Sequence, residues 1–376
     1  MDFKLSPEHA SFRSEVLSFI GDMASDKGSR EDPRFDKKVR DELAKRKWLA
    51  MPWPEEFGGL GASPLQQMVF NEVMAYNRMP TGGMGVWWVG PALILYGTDE
   101  QKGRFLPRIT SGDDVWCTLY SEPGAGSDLA SLQTRAVRDG DDYIINGQKI
   151  WTSGAHRSDW GWLAARTDPE APKHRGISMF LVPMNAPGLE VRPLRNMTGR
   201  HEFNEVFFDN VRIPSSQRVA EENRGWYTLA VALDFERSSI GSTSGAQRTL
   251  DDFMALIRLG EATLTSANRL RLVDVFVATQ VLRFVGYRIA AEQEKTGVAP
   301  TQLSQMAKLA AMELNQKITL MTMQVLGMDA AGHPADSPWD DYTRGFLRSV
   351  ANTIEGGTSE IQRNVIATRG LGLPRG

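Results

Sequence analysis

The sequence lacks most of the features that would place it outside the ordinary globular proteins. It has a single cysteine, Cys117, so an internal disulfide is excluded and a reducing compartment is expected. No run approaches the roughly 20 apolar residues of a membrane-spanning helix. The sequence has no basic segment followed by an apolar run at its start, so no secretory signal is predicted. We therefore expect a cytoplasmic protein that does not insert into a membrane.

An excess of charge of one sign is also missing. The 43 basic and 46 acidic side chains give a formal net charge of −3, which offers no electrostatic reason to expect nucleic acid as a partner. The five histidines show no metal-ligand spacing and no C-x-x-C pair occurs, so no metal site is predicted. With 376 residues, the chain is long enough for two or three packed units.

The hydrophobic periodicity changes twice along the chain. It predicts a helical domain at residues 1–114, a β domain at 115–220 and a second helical domain at 221–376. In the first zone, Ser6 followed by a proline is a helix start, and Phe12 and Val16 begin an apolar face at helical spacing. After a Pro/Gly-rich break, the next helix is expected to start near Ser63.

The middle zone carries several strand-like runs without helices between them. Turns are expected at the DGDD segment and at Asn146–Gly147. This pattern favours an antiparallel sheet or small barrel over alternating strands and helices. Long amphipathic helices follow, so the predicted fold class is α+β, with a helical bundle at the C-terminal end.

Two short segments carry candidate chemistry. SEPGAGSD, Ser121–Asp128, taken alone reads as a surface turn, and it lacks the lysine of a phosphate loop. Its small residues can nevertheless form a nest of N–H groups for a phosphate or carbonyl oxygen, with Ser127 adding a hydroxyl. IWTSG, Ile150–Gly154, places an aromatic ring and two hydroxyls at a strand end. The ring either packs in the sheet or stacks on a planar ligand.

Four ordered motifs resemble those of the acyl-CoA dehydrogenase family over the whole chain. SEPGAGSD is similar to the family's T/S-E-P-x-A-G-S-D signature, and WTSG to its W-x-T/S segment. FNEVFFDNVRIP resembles the stretch that closes the β domain, and GGTSEIQRNVIATRGLGLP resembles the C-terminal G-T-x-x-I-Q-R end. The resemblance implies an N-terminal helical domain, a middle β domain and a C-terminal four-helix bundle, with FAD between the last two.

The resemblance also implies which residues bind FAD. Trp151 would lie against the isoalloxazine, Ser153 would reach its N5 edge, and Ser127 would bind a phosphate oxygen. Gln324 matches a glutamine that usually reaches FAD across a subunit interface, which implies a homodimer or homotetramer. The full implied set is Tyr120, Ser121, Gly126, Ser127, Trp151, Thr152, Ser153, Gln324, Thr358 and Glu360.

Removing the proton beside a thioester carbonyl requires a carboxylate that is close and shielded from water. Glu236 shares the apolar stripe of its helix with Leu233 and Ile240, where burial would raise the pKa of a carboxylate. An ion pair within the bundle is the alternative interpretation. The D-x-E-R pattern, Asp234 to Arg237, is similar to family members that carry the base on this helix, such as the isovaleryl and long-chain enzymes.

Glu355 is the rival base. Many relatives, the medium-chain enzymes among them, carry the base just before the C-terminal G-T, and Gly356 occupies that position here. Glu355 is one residue away, so Gly356 favours Glu236 and would widen the pocket. The residues implied to touch substrate are Ser127, Asp234, Arg237 and Gly356.

The function implied is oxidation of an acyl-CoA to a trans-2-enoyl-CoA, as in β-oxidation and lipid metabolism, with electrons passing to electron-transfer flavoprotein. Two alternatives stay open: a flavin monooxygenase or oxidase on the same fold, and a non-catalytic subunit of a mixed oligomer. The mixed oligomer is supported because the family's R-x-x-F-G segment is missing, with Arg258 or Arg269 as candidate substitutes for it. The acyl group is open among fatty, branched, aromatic and steroid side-chain esters.

Overall fold

The computed structural model describes residues 4–24, 33–229, 244–260, 262–327 and 338–374. The chain divides into two compact units. The described residues within 1–27, 63–79 and 237–376 form a helical unit, and those within 28–62 and 80–236 form a unit centred on a sheet. The first predicted zone thus contributes segments to both units.

The regular elements follow the predicted order of helices, strands and helices. The α-helices of the described residues are α1 Pro7–Ala24, α2 Pro33–Lys45, α3 Pro64–Tyr76, α4 Gly90–Tyr96, α5 Asp99–Thr110, α6 Ser244–Arg258, α7 Ser266–Thr296, α8 Thr301–Leu326, α9 Pro338–Ser349 and α10 Ser359–Val365. The strands are β1 Trp116–Leu119, β2 Arg135–Asp139, β3 Asp142–Ser153, β4 Trp160–Arg166, β5 Ile177–Pro183, β6 Leu189–Arg195, β7 His201–Pro214 and β8 Arg218–Val219.

The predicted helix starts in the first zone are confirmed. Helix α1 begins at Pro7, directly after Ser6, and buries Phe12 and Val16. Helix α3 begins after Ser63, whose side chain accepts a hydrogen bond from the backbone N–H of Gln66. Such a cap satisfies one of the N–H groups left unpaired at a helix start. No helix among the described residues is long and apolar enough to cross a membrane.

The helical unit is held by an apolar core and by ion pairs at its edges. Helices α6, α7 and α8 contribute buried side chains such as Phe253 and Ile318. Glu72 of α3 forms an ion pair with Arg283 of α7 at 2.6 Å and accepts a hydrogen bond from the Tyr287 hydroxyl at 2.7 Å. Such long-range polar contacts fix α3 against α7 inside this unit.

All eight strands lie in one sheet of order β6-β7-β3-β2-β4-β5-β8, with β1 beside β4. Most neighbours are antiparallel as predicted, but β1 and β2 each pair with β4 in parallel. A parallel pair requires a long crossover. The crossover between β1 and β4 consists of residues 120–159, which include the β2–β3 hairpin. It allows β4 to run in the same direction as β1.

The prediction of a turn at Asn146–Gly147 is wrong. Strand β3 runs through this position, with only a register shift between Ile145 and Gly147 against β7. A Cβ on Gly147 would lie 2.6–2.8 Å from atoms of Thr134. The glycine therefore permits a close approach between backbones. The other expected turn is confirmed, because Gly140, at φ 64°, lies between β2 and β3.

Two helical glycines provide a matched test of packing in the sheet-containing unit. A Cβ on Gly90 would lie 1.9–2.0 Å from the buried ring of Trp53, whereas a Cβ on Gly103 would meet no atom of the described residues within 4 Å. We expect Gly90→Ala to lower the free energy of unfolding by about 1–3 kcal/mol through overpacking. Gly103→Ala should raise it by about 0.4–1 kcal/mol through reduced unfolded-state entropy. Urea unfolding checks both, and equal effects would contradict the packing described.

Candidate active site

The loop after β1 exposes its backbone. Glu122 and Ala125 exchange two backbone hydrogen bonds of 3.0 Å, which close a tight turn over Gly124. A Cβ on Gly124 or Gly126 would meet no atom within 4 Å among the described residues, and neither glycine has positive φ. The fold itself therefore does not require glycine here. The absence of side chains leaves the N–H groups open to a ligand.

A fully buried ion pair anchors this loop to β3. The Nζ of Lys149 lies 2.8 Å from Oε1 of Glu122, with side chains 0% and 6% exposed, and it donates a second hydrogen bond to the carbonyl of Tyr120 at 2.9 Å. The carboxylate of Glu122 also accepts from the backbone N–H groups of Gln133 and Thr134 at 2.6 and 2.9 Å. Both charges are thus paired and hydrogen-bonded, as buried charges require.

In each partner, burial disfavours the charged form and the opposite charge favours it, so the two effects on the pKa oppose each other. Burial lowers the pKa of Lys149 to about 8, although the carboxylate of Glu122 counteracts this effect. Burial also opposes ionisation of Glu122, but Lys149, the backbone N–H of Gln133 and the side chain of Thr134 hold its pKa below the ordinary value. The pairing therefore favours the charged form of each partner.

Trp151 adopts a backbone conformation that bulky residues avoid. Its φ is 62°, at a bulge where the register between β3 and β7 shifts between Lys149 and Thr152. The side chain is 55% exposed, with its ring edge-on to Phe203 at 6.0 Å. Bulges redirect side chains, and left-handed strain in a non-glycine residue clusters at functional sites. The conformation turns a large flat ring outward, so the exposed position is built into the fold.

The two hydroxyls after Trp151 differ in environment. Thr152 is 2% exposed, and its buried Oγ1 has no hydrogen-bond partner in the part of the chain that is described. Ser153 is exposed. The N–H of Ile150 donates to the carbonyl of Ser121 at 2.9 Å. The structure thus brings Tyr120 and Ser121 beside the strand end that carries Trp151 to Ser153, as a ligand-binding edge would need.

Gly126 and Ser127 lie exposed further along the loop. The next residue, Asp128, forms an ion pair with Lys173 at 2.8 Å. Beyond it, Arg166 is buried and donates to the backbone carbonyls of Ala130, Leu132 and Lys173. These contacts fix the end of the loop on the sheet and leave the small residues before Asp128 accessible.

Sequence analysis missed Glu122, Lys149 and Arg166 as site-forming residues. Glu122 stands inside SEPGAGSD, and Lys149 lies directly before IWTSG, two residues before Trp151. A charged residue is costly to bury unless it has a partner. Opposite charges in one candidate motif and directly beside the other would have suggested this contact.

In the helical unit, Thr358 and Glu360 line one polar groove of about 520 Å³. Thr358 caps α10, its hydroxyl accepting from the N–H of Ile361 at 3.2 Å. Ser359 also lines the groove, and its buried Oγ has no partner among the described residues. The pKa of Glu360 lies below its usual value. The larger cause is a hydrogen bond from its own backbone N–H, and the second is a hydrogen bond with the Thr358 side chain.

The remaining predicted residues of this unit lie on exposed surface. Gln324 is on α8 and accepts a hydrogen bond from Arg271 at 2.9 Å. Gly356 adopts φ 60° in the turn before α10. Glu355 is engaged by Arg348 at 2.8 Å and by the side-chain amide of Asn352 at 2.7 Å. A carboxylate held in an ion pair is a poor general base, so this geometry disfavours Glu355.

Three predicted residues lie outside the described residues. They are Asp234, Glu236 and Arg237. The assignment of Glu236 as the base therefore stays a prediction.

Comparison with known proteins identifies the family. The acyl-CoA dehydrogenase N-terminal, middle and C-terminal domain models match residues 6–113, 117–211 and 223–371. The chain belongs to the acyl-CoA dehydrogenase family, whose members are FAD-dependent oxidoreductases. The predicted family and its arrangement of helical, β and helical domains are thereby confirmed.

Among curated relatives, the chain is 38% identical to the acyl-CoA dehydrogenase IpdE1 of Mycobacterium tuberculosis H37Rv, over 97% of each chain. It is 39% identical to the acyl-CoA dehydrogenase FadE26 of the same organism, over 87% of this chain and 85% of the other. Among solved structures, it resembles the Tcur3481-Tcur3483 steroid ACAD with a TM-score of 0.91 and 32% identity, and each chain is fully covered. The ChsE4-ChsE5 complex from M. tuberculosis matches with a TM-score of 0.88 and 33% identity, also over the full length of each chain.

The buried ion pair yields a stability prediction. Lys149→Met leaves the charge of Glu122 buried and unpaired, so we expect the free energy of unfolding to fall by about 3–5 kcal/mol. Lys173→Met removes the same charge from an exposed pair with Asp128 and should cost less than about 1 kcal/mol. Urea unfolding of both variants checks this difference. An equally small loss in both would show that the buried pair does not hold the loop.

Proposed function

We propose that this chain binds FAD along the loop 120–128 and the strand end 151–153, and that it oxidises an acyl-CoA thioester to the trans-2-enoyl-CoA. The observation that carries the proposal is the exposed ring of Trp151, held in strained backbone beside the unpartnered Thr152 hydroxyl. A planar ring with polar edges fits such a surface. The open backbone at Gly124 and Gly126 fits a ligand that approaches the chain closely.

Each part of the surface has a proposed role. Trp151 stacks against the isoalloxazine, the exposed hydroxyl of Ser153 binds its edge, and Thr152 is proposed for the same edge by resemblance. Ser121 binds the pyrimidine side, and Ser127 with the N–H of Gly126 binds a phosphate oxygen. Bound FAD supplies the hydride acceptor for the β carbon of the substrate. Thr358, Glu360 and Gln324 are proposed for the ADP part by resemblance, and the unpartnered Ser359 hydroxyl beside Thr358 fits a polar ligand there.

We propose Glu236 as the base. Its carboxylate takes the proton from the α carbon as a hydride equivalent leaves the β carbon, and the two losses create the double bond. The proposal is supported by the helical spacing that predicts Glu236 on one apolar stripe with Leu233 and Ile240, and by the engagement of Glu355 with Arg348 and Asn352. Asp234, Arg237 and Gly356 are proposed to contact the substrate.

The acyl group is proposed to be a steroid-derived side chain. Similarity over the full chain to a protein described as a steroid ACAD supports this class over plain fatty acyl esters. Both structural relatives reported above are described as pairs of different chains. A mixed oligomer, in which a partner helps to complete the FAD site, is therefore the second candidate. Electron-transfer flavoprotein is the proposed electron acceptor.

Substrate and base are tested together by visible spectroscopy. The purified protein should show a flavin spectrum that bleaches on anaerobic addition of a steroid side-chain CoA ester, and less with straight-chain esters. Glu236→Gln should keep bound flavin but lower the bleaching rate by about 10²-fold or more, because the base is lost. Glu355→Gln, the matched control, should bleach like the wild type.

Each outcome of this experiment separates the candidates. Undiminished bleaching in Glu236→Gln would exclude Glu236 as the base. Bleaching only with straight-chain esters would exclude the steroid class. A colourless protein that gains flavin only after co-expression with a related chain would favour the mixed oligomer.

Trp151 offers a test of binding that is separate from turnover. Trp151→Gly relieves the left-handed strain while it removes the ring, so we expect the free energy of unfolding to stay within about 1 kcal/mol of wild type. FAD affinity should fall at least about tenfold with loss of the stacking surface. Trp151→Phe keeps a flat ring and should retain most of the affinity. Equilibrium dialysis with FAD measures this, and unchanged affinity in the glycine variant would contradict the proposed stacking.

A further inference from the structure

The strained segment is held by a side chain of the neighbouring strand. Asn204 of β7 is fully buried and lies opposite Thr152 in the strand register. Its Nδ2 donates a hydrogen bond to the carbonyl of Thr152 at 3.0 Å. This carbonyl belongs to the residue directly after Trp151, so the bond fixes the backbone at the point where the bulge ends.

Two histidines complete the hydrogen bonding of Asn204. A backbone carbonyl can only accept, so the amide nitrogen of Asn204 must face Thr152 and its Oδ1 must face the imidazoles. Oδ1 lies 2.7 Å from Nε2 of His201 and 3.2 Å from Nδ1 of His156. Both ring nitrogens must therefore carry hydrogen. His201 is the Nε2–H tautomer and His156 is the Nδ1–H tautomer when each ring is neutral.

The two rings also pack on each other. Their centroids are 4.0 Å apart, with an angle of 25° between the planes. Two charged rings at this separation would repel. Burial lowers the pKa of His156, and His201 and Arg157 act in the same direction. The two stacked rings share one acceptor, the Oδ1 of Asn204.

We infer that Asn204, His201 and His156 are positioning residues that orient Thr152 and Trp151 toward the flavin. The inference rests on the proposed function. It assigns to these three residues a role that acts through the backbone of the ring-presenting segment, because the hydrogen bonds run from the imidazoles through Asn204 to the Thr152 carbonyl. None of them is proposed to touch the substrate.

The first test removes the donor to the Thr152 carbonyl and introduces a carboxylate at a buried position. Asn204→Asp keeps an acceptor for both histidines but places a carboxylate oxygen where Nδ2 donated to Thr152. We expect the flavin absorption band to shift and the rate of flavin reduction by substrate to fall about tenfold or more, as misplaced reacting groups do. A variant with wild-type spectrum and rate would overturn the inference.

Variants of His201 keep the inference falsifiable if Asn204→Asp fails to fold. His201→Phe retains a flat ring without the N–H donor, whereas His201→Gln supplies an amide donor of similar reach. We expect His201→Phe to reproduce the spectral shift and slow reduction, and His201→Gln to restore both to within about threefold of wild type. His9→Phe, a change at the half-buried His9 in the first turn of α1, is the control and should have no effect. Equal behaviour of the phenylalanine and glutamine variants would overturn the inference.

A readout without FAD separates this inference from the proposed function. The chain has five histidines, so nitrogen-15 NMR of histidine-labelled apo-protein can assign each ring tautomer. We expect His156 as Nδ1–H and His201 as Nε2–H, with both signals perturbed in Asn204→Asp. Failure of the wild type to bind FAD would defeat the proposed function but leave these tautomers as expected. His156 found as the Nε2–H tautomer would overturn the network itself.

Discussion

The ion pair between Lys149 and Glu122 is the contact on which the candidate site depends. Removing two charges from water costs several kcal/mol, and only close pairing with further hydrogen bonds offsets that cost. Here the ammonium also bonds the Tyr120 carbonyl and the carboxylate also accepts two backbone N–H groups. Because Glu122 lies in the loop and Lys149 lies in β3, the pair can form only when the loop and β3 meet in one register. Its contribution is specificity of arrangement more than net stability.

That fixed register allows the strand to carry strain. A left-handed tryptophan costs of order 1–3 kcal/mol and persists only where its surroundings determine it on both sides. Lys149 is anchored two residues before Trp151, the Ile150 N–H is bonded to Ser121 directly before it, and the Thr152 carbonyl is bonded directly after it. The strained conformation is therefore enclosed between fixed points, and the exposed ring has a defined orientation before any ligand arrives.

Sequence reasoning succeeded where the signal was local. The apolar face of α1 and the cap at Ser63 depend on residues within one or two helical turns, and both are present in the structure. It failed where the determinant was distant in sequence. The bulge at Trp151 and the parallel β1–β4 pair depend on which strand lies beside which, and no period in the sequence encodes that. The motifs located the site, but the contacts between Glu122 and Lys149 and between Asn204 and Thr152 span 27 and 52 positions.

The glycines also show that contacts distant in sequence could not be predicted from local patterns. Position 147 in β3 is glycine because a side chain there would clash with Thr134. Position 90 in α4 is glycine because a side chain there would clash with Trp53. At Gly124 and Gly126 the described chain places no atom near the missing Cβ, and the backbone conformation is open to any residue. The first two glycines are explained by the fold and the last two are not. The described residues impose no requirement for glycine at these two positions, and we propose that a ligand lying against the loop backbone imposes it.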